Sequence, residues 1–167
     1  MTKKYIIALL VVVFLLSMFN LFKKNFKDIG EYPDTWSVAQ GIMEDKPIFV
    51  RFRNGLKEAV GHSGYPFQIG VAVPLLHPIK GLPDGTESDE LAKIEDVLVK
   101  KLTENNQAVF AMVITINGMR EFVFYASEWK PEIYEQKVKS IDSGKHELQF
   151  MMKQDPKWNT FKQFSSK

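Results

Sequence analysis

The sequence predicts an α+β domain, one sheet with helices packed on it, behind a single hydrophobic segment. Three observations carry this. From Phe67 onward, short apolar runs and helical stripes alternate in the order β-α-β-β-α-β. Asn117-Gly118 stands between two apolar runs, the strongest short-range hairpin signal, because both turn residues must take positive φ. Tyr5 to Phe22 is 18 residues without a charge, bracketed by Lys3-Lys4 and Lys23-Lys24.

As a helix, that segment spans about 27 Å, close to the hydrocarbon thickness of a bilayer. It is longer than the apolar core of a cleavable signal. Its end, Ser17-Met18-Phe19-Asn20, lacks the small-residue pair that cleavage needs. Residues 1–24 are therefore expected to be an uncleaved, single-pass membrane anchor, with Tyr5–Phe22 in contact with lipid. The lysine count is tied across the segment. A short N-terminal tail kept in the cytoplasm would place the domain outside it. Residues 25–34 read as a polar tether, and 35–167 as the domain.

Trp36–Gln40 reads as a strand, Gly41–Lys46 as a turn and Pro47–Arg53 as the returning strand, ending at the turn pair Asn54-Gly55. Gly61–Pro66 is a loop. Phe67–Val73 alternates as a strand and stops at Pro74, and a proline-rich loop runs to Gly85. A helix follows, capped by Thr86 or Ser88. Its first-turn acids suit the positive end of the helix dipole, and Leu91, Ile94, Leu98 and Leu102 form one stripe. Val109–Ile116 and Met119–Ala126 are the hairpin around Asn117-Gly118. This register sets Val113 against Phe122, Ala111 against Phe124, Met112 against Val123 and Phe110 against Tyr125.

Pro131 opens the second helix, with Ile133, Tyr134, Val138 and Ile141 inward, and Gly144 closes it. His146–Met152 is the last strand. Asp155 caps a short C-terminal helix with Pro156 in its first position. The order from Phe67 is the ferredoxin-like split βαβ sandwich, here with an extra N-terminal β-hairpin and a short C-terminal helix. Both sheet faces are apolar, and two helices cover only one. The other needs the hairpin, the C-terminal helix or another protein over it, and cover from within the chain is the expectation.

Composition removes several functions. Apart from Lys3 and Lys4 the chain has 20 basic and 20 acidic residues. A neutral domain has no field to draw in nucleic acid, so none is expected. There is no cysteine, which excludes disulfides, thiolate catalysis and cysteine metal sites. Gly61-His62-Ser63-Gly64-Tyr65 lacks the final glycine of a nucleophile elbow and leads into a strand rather than out of one. His62, His77 and His146 match no zinc spacing, and His146-Glu147 on a strand would point to opposite faces. Asp84–Glu90 has the acids of a calcium loop without its spacing and reads as helix capping. Arg120 and Glu121 read as surface charges with cross-strand partners. No cofactor is expected.

Two clusters remain. Asp155, Trp158, Phe161 and Phe164 lie at helical spacing, either as packing or as an aromatic surface for a protein partner. His62, Ser63 and His77 could line a pocket in the His62–Pro83 loop region, the basis of an alternative small-ligand enzyme.

The series Trp36, Pro47-Ile-Phe-Val-Arg51, Gly70-Val-Ala-Val73, Gly81-Leu-Pro83, Ile94-Glu-Asp96, Asn117-Gly-Met-Arg-Glu-Phe122 and Asp155-Pro-Lys-Trp158 resembles the bacterial domain-of-unknown-function family 695 over about residues 34–164. That family assigns no catalytic residues to carry over. The closing D-P-x-W motif and the strand order also resemble the type B protein regulator of ribonuclease E activity, which is ferredoxin-like and inhibits by binding. This chain differs from that regulator in its anchor and its balanced charge. The expectation is a membrane-anchored, non-catalytic binding or regulatory domain with a protein partner still to be identified. The alternatives are the loop-region enzyme and an inhibitor or immunity-like protein.

Overall fold

The computed structural model describes residues 24–165. The expected membrane anchor lies outside them. Among the described residues no helix is long and apolar enough to cross a membrane.

Six antiparallel strands form one sheet: β1 (Trp36–Met43), β2 (Lys46–Arg53), β3 (Phe67–Pro74), β4 (Ala108–Ile116), β5 (Met119–Ala126) and β6 (Gln149–Gln154), in the spatial order β1-β2-β4-β5-β3-β6. Among the described residues three α-helices accompany it: α1 (Gly85–Leu102), α2 (Pro131–Lys139) and α3 (Asn159–Ser165). The N-terminal hairpin lies in the plane of the sheet, β2 pairing with β4, and does not fold over a face.

One face, here the helix face, is covered by α1 and α2. The predicted stripe of Leu91, Ile94, Leu98 and Leu102 is buried against Val71, Val113, Phe122 and Phe124. Each of those helix side chains contributes roughly 1.5–3 kcal/mol of gross burial free energy. The cap of α1 is Asp84, two residues before Thr86 and four before Ser88, its Oδ1 accepting from Glu87 N at 2.8 Å. In α2, Tyr134, Val138 and the following Ile141 face inward, whereas Ile133 is 48% exposed, one residue off the stripe.

The far face carries Ile48, Val50, Phe52, Met112, Val123 and Tyr125 and is covered from within the chain. Its lid consists of α3, the 3-10 turn Asn54–Ala59 that follows β2, and the segment ahead of β1. Ile29 and Tyr32 are buried there, so residues 25–34 dock on the domain instead of forming a free tether. Gly55 is required by this docking. A Cβ on it would lie 2.0 Å from the Pro33 carbonyl oxygen.

Three local expectations are corrected. The first hairpin turns at Glu44-Asp45, both at positive φ, so β1 runs on to Met43 and β2 begins at Lys46. The second hairpin turns at Asn117-Gly118 as expected, and Val113–Phe122 and Met112–Val123 pair in the expected register. A bulge at Ala111 then shifts the rest, so Phe110, not Ala111, faces Phe124, and Val109, not Phe110, faces Tyr125. The bulge lets the β4 side chains on both sides of it reach the same core. The last strand starts at Gln149, leaving His146 in the preceding loop with its ring turned inward.

Candidate functional site

The Asp155 corner is closed. Asp155 Oδ2 accepts from Tyr125 Oη at 2.9 Å, and its two oxygens accept from the backbone N–H groups of Asn159 at 2.8 Å and Thr160 at 3.2 Å. Asp155 therefore caps α3, but the helix begins at Asn159 rather than at Pro156. Trp158 precedes it at φ 54°, is fully buried, stacks on Tyr125 at 4.0 Å between centroids and donates Nε1–H to the Tyr65 carbonyl at 2.9 Å. Phe161 meets Trp158 edge-on and is also buried, while Phe164 is half-buried at the margin of the same cluster. Burial pushes the Tyr125 hydroxyl far above its ordinary value, and the adjacent Asp155 carboxylate adds to the shift. This packing corrects the partner-surface reading: Asp155, Trp158 and Phe161 are interior groups with satisfied polar atoms.

His62, Ser63 and His77 do not meet. His62 and Ser63 precede β3 and His77 follows it, so about 26 Å of extended strand separates the histidines. His77 is exposed. His62 acts as a clamp. Its Nδ1 accepts from Gly64 N at 3.0 Å, which leaves Nε2–H to donate to the Lys27 carbonyl at 3.0 Å, and Phe26 packs on the ring. The ring holds the N-terminal segment against the domain through both of its nitrogens.

His146 occupies a different setting. It is buried between α1 and the loop before β6, with Nε2 3.0 Å from Glu90 Oε2 and Nδ1 3.9 Å from Glu87 Oε1. Glu87 is itself buried and accepts from Leu76 N at 2.5 Å. Glu87 Oε2 and His146 Nδ1 make no hydrogen bond among the described residues. The cluster ties the loop after β3 to the start of α1. Among the described residues no group of three or more side chains could hold a metal ion.

The open ground lies on the helix face between α1 and the β1–β2 hairpin. The chain has three arginines among its 22 basic residues, Arg51, Arg53 and Arg120, and all three are on this face. Two cavities of about 440 and 370 Å³ lie between α1 and the hairpin and share Arg51, Glu95 and Asp96 as walls. Arg51 forms an ion pair with Glu95, and its guanidinium lies 4.9 Å from the Trp36 ring centroid. Arg53 donates Nε–H to the Pro33 carbonyl at 3.0 Å and an Nη–H to the Tyr32 carbonyl at 2.6 Å, which fixes the docked N-terminal segment. Arg120 is half-buried and, among the described residues, makes one hydrogen bond, from Nε–H to Thr115 Oγ1 across the hairpin at 3.1 Å. Burial lowers its affinity for the proton, and the nearby Glu95 acts in the opposite direction. Arg120 and Glu121 are thus both half-buried rather than fully exposed charges, and Arg120 has the expected cross-strand partner.

Residues 34–165 match the family described as "Family of unknown function (DUF695)". The chain belongs to this family. No curated protein and no solved structure matches, and the likeness to the type B ribonuclease E regulator gains no support. Within this DUF695 domain, the arginine face is the feature that motif reading misses. Its signal is present in the pairing: Arg51 opposes Val113, Phe49 opposes Thr115, and Thr115 opposes Arg120, which puts these residues on one face once the register is known.

Proposed function

We propose that this DUF695 domain is a non-catalytic binding or regulatory module, held at a membrane by Tyr5–Phe22, and that its working surface is the β1–β2 hairpin. The strand order β4-β5-β3-β6 with antiparallel neighbours supports reading residues 67–154 as a ferredoxin-like unit to which this hairpin is added. The observation that carries the proposal is that the added hairpin extends past the helix cover. Val38 is 73% and Ile42 80% exposed. The edge strand β1, Trp-Ser-Val-Ala-Gln-Gly-Ile-Met, has eight paired residues with no charge, no proline and no bulge. Sheet edges are ordinarily blunted by such devices, so an unblunted one is a template for pairing with another chain. The opposite edge, β6, is shorter and carries Lys153.

Site-specific photo-cross-linking of the full-length protein in membranes tests the reading. A cross-linker at position 38 or 42 is expected to trap one discrete partner, and one at position 151 on β6 is not. Equal capture from both edges, or capture that survives Ile42→Glu, would overturn it.

A further inference from the structure

The smaller cavity has a built-in asymmetry among its arginines. Arg51 is taken by Glu95, and Arg53 by Asp34 and two backbone carbonyls. Arg120 uses only Nε. Among the described residues its Nη atoms have no hydrogen-bond partner, and they are not sealed from solvent. Thr115, itself 4% exposed, fixes the plane of the guanidinium from the opposite strand. A planar guanidinium with two free N–H donors on one side matches a carboxylate, which it binds in a bidentate fork. The rest of the cavity wall is apolar at Val38, Phe49, Ala92 and Val113 and acidic at Glu95 and Asp96. The two acids disfavour a dianion such as phosphate, whereas a monoanion with an apolar body meets the fork and the apolar wall together.

We propose that the cavity between α1 and the β1–β2 hairpin binds a ligand carboxylate carrying an apolar body, with Arg120 as its anchor and Thr115 positioning that anchor. The site deepens the binding-surface reading and rests on it for its biological setting. The carboxylate is either that of a small acid or that of a polypeptide C-terminus.

With only three arginines, arginine-¹⁵N-labelled full-length protein in detergent gives three side-chain Nε–H signals, assigned by single Arg→Lys substitutions. Hexanoate represents a free acid, N-acetyl-Leu-Leu a chain end, leucinamide an apolar body without carboxylate, and inorganic phosphate a bare anion. Hexanoate or the dipeptide is expected to shift the Arg120 signal saturably, and the tighter of the two names the source. Arg120→Lys should weaken binding roughly tenfold, because the fork is lost while the charge stays. Thr115→Val, which keeps the side-chain shape and removes only the acceptor, should weaken it by a smaller factor and should move the Arg120 signal in the free protein. An Arg120 signal that no carboxylate shifts, or that leucinamide or phosphate shifts equally, would overturn the proposal. Because these probes enter the cavity and do not pair with the β1 backbone, loss of partner capture in Ile42→Glu remains a separate result.

Discussion

Two tryptophans sit at opposite ends of the same argument. Trp158 and Trp36 each have their indole N–H satisfied at 2.9 Å and each has aromatic neighbours. Trp158 is sealed. The turn of α3 closes over it, Tyr125 stacks on it within 6° of parallel, Asp155 accepts from Tyr125 Oη and from the N–H groups of Asn159 and Thr160, and Tyr125 Oη accepts from Phe161 N. Trp36 lies under an arginine at the rim of a cavity, in a hairpin that no helix covers. Residue type does not separate them; closure does. A corner whose polar groups are all paired internally has nothing left to offer a ligand. A face with an unpaired guanidinium fork and exposed apolar side chains does.

The largest effect expected from breaking this contrast is in the sealed corner. Trp158→Ala should cost about 3–5 kcal/mol by chemical denaturation, the range for emptying a buried aromatic site. It should leave the β1 edge unaltered wherever the variant still folds. A loss below about 1 kcal/mol together with lost partner capture would return Trp158 to the surface and reverse the comparison.

Asp155→Ala follows at about 2–3 kcal/mol. It leaves the Tyr125 hydroxyl and two helix N–H groups without an acceptor. Asp155→Asn should recover part of the loss, since an amide oxygen still accepts. Equal losses for both variants would show that the capping oxygens are not what holds the corner.

The corner also shows what sequence can and cannot convey. The cap at Asp155 is legible, because Asp before a proline ahead of an aromatic helix has a local meaning. The positive φ at Trp158 is not. A large aromatic rarely takes that conformation, and only the burial gained by stacking on Tyr125, 33 residues earlier in the chain, offsets the strain. The β4–β5 turn is legible because Asn117 and Gly118 are the residues that positive φ selects. The Ala111 bulge is not, because Ala108 to Ile114 is apolar throughout and any register keeps apolar residues on both faces. Glu44-Asp45 hides its turn in the same way, with acids where glycine or asparagine would announce it. The separation of His62 from His77 follows from the length of β3. The arginine face depends on pairings between β2, β4 and β5, which no single segment encodes.

Two pH effects sharpen the contrast between sealed and open ground. Tyr125 has its proton affinity raised by burial, so below about pH 10, the ordinary tyrosine value, its contribution to stability is complete. Above that pH the unfolded chain releases a proton the fold retains, and stability falls by up to about 1.4 kcal/mol per pH unit. Tyr125→Phe should flatten that fall in alkaline denaturation, and an unchanged slope would place the hydroxyl in solvent. Glu121, beside Gly70 and Met151, also has a raised value, caused first by burial and opposed by Lys153. The sign is the same: its favourable contribution is present below about pH 4.5 and is lost as pH rises. Glu121→Gln should therefore stabilise the protein at neutral pH and not at pH 3, and a gain that is independent of pH would exclude ionisation as its cause.

The smallest stability effect belongs to the open hairpin, and its smallness is the point. Ile42 is 80% exposed and touches little, so Ile42→Glu should change unfolding free energy by less than about 0.5 kcal/mol. A charge placed there is one of the devices that normally protect a sheet edge. If β1 serves as a pairing edge, the substitution abolishes cross-linking from position 38 while the melting profile stays fixed, a separation that Trp158→Ala cannot produce. If Ile42→Glu instead destabilises the fold by 2 kcal/mol or more, the side chain is buried in the working state. The hairpin would then be a second sealed region, and the difference between the two tryptophans would be one of degree.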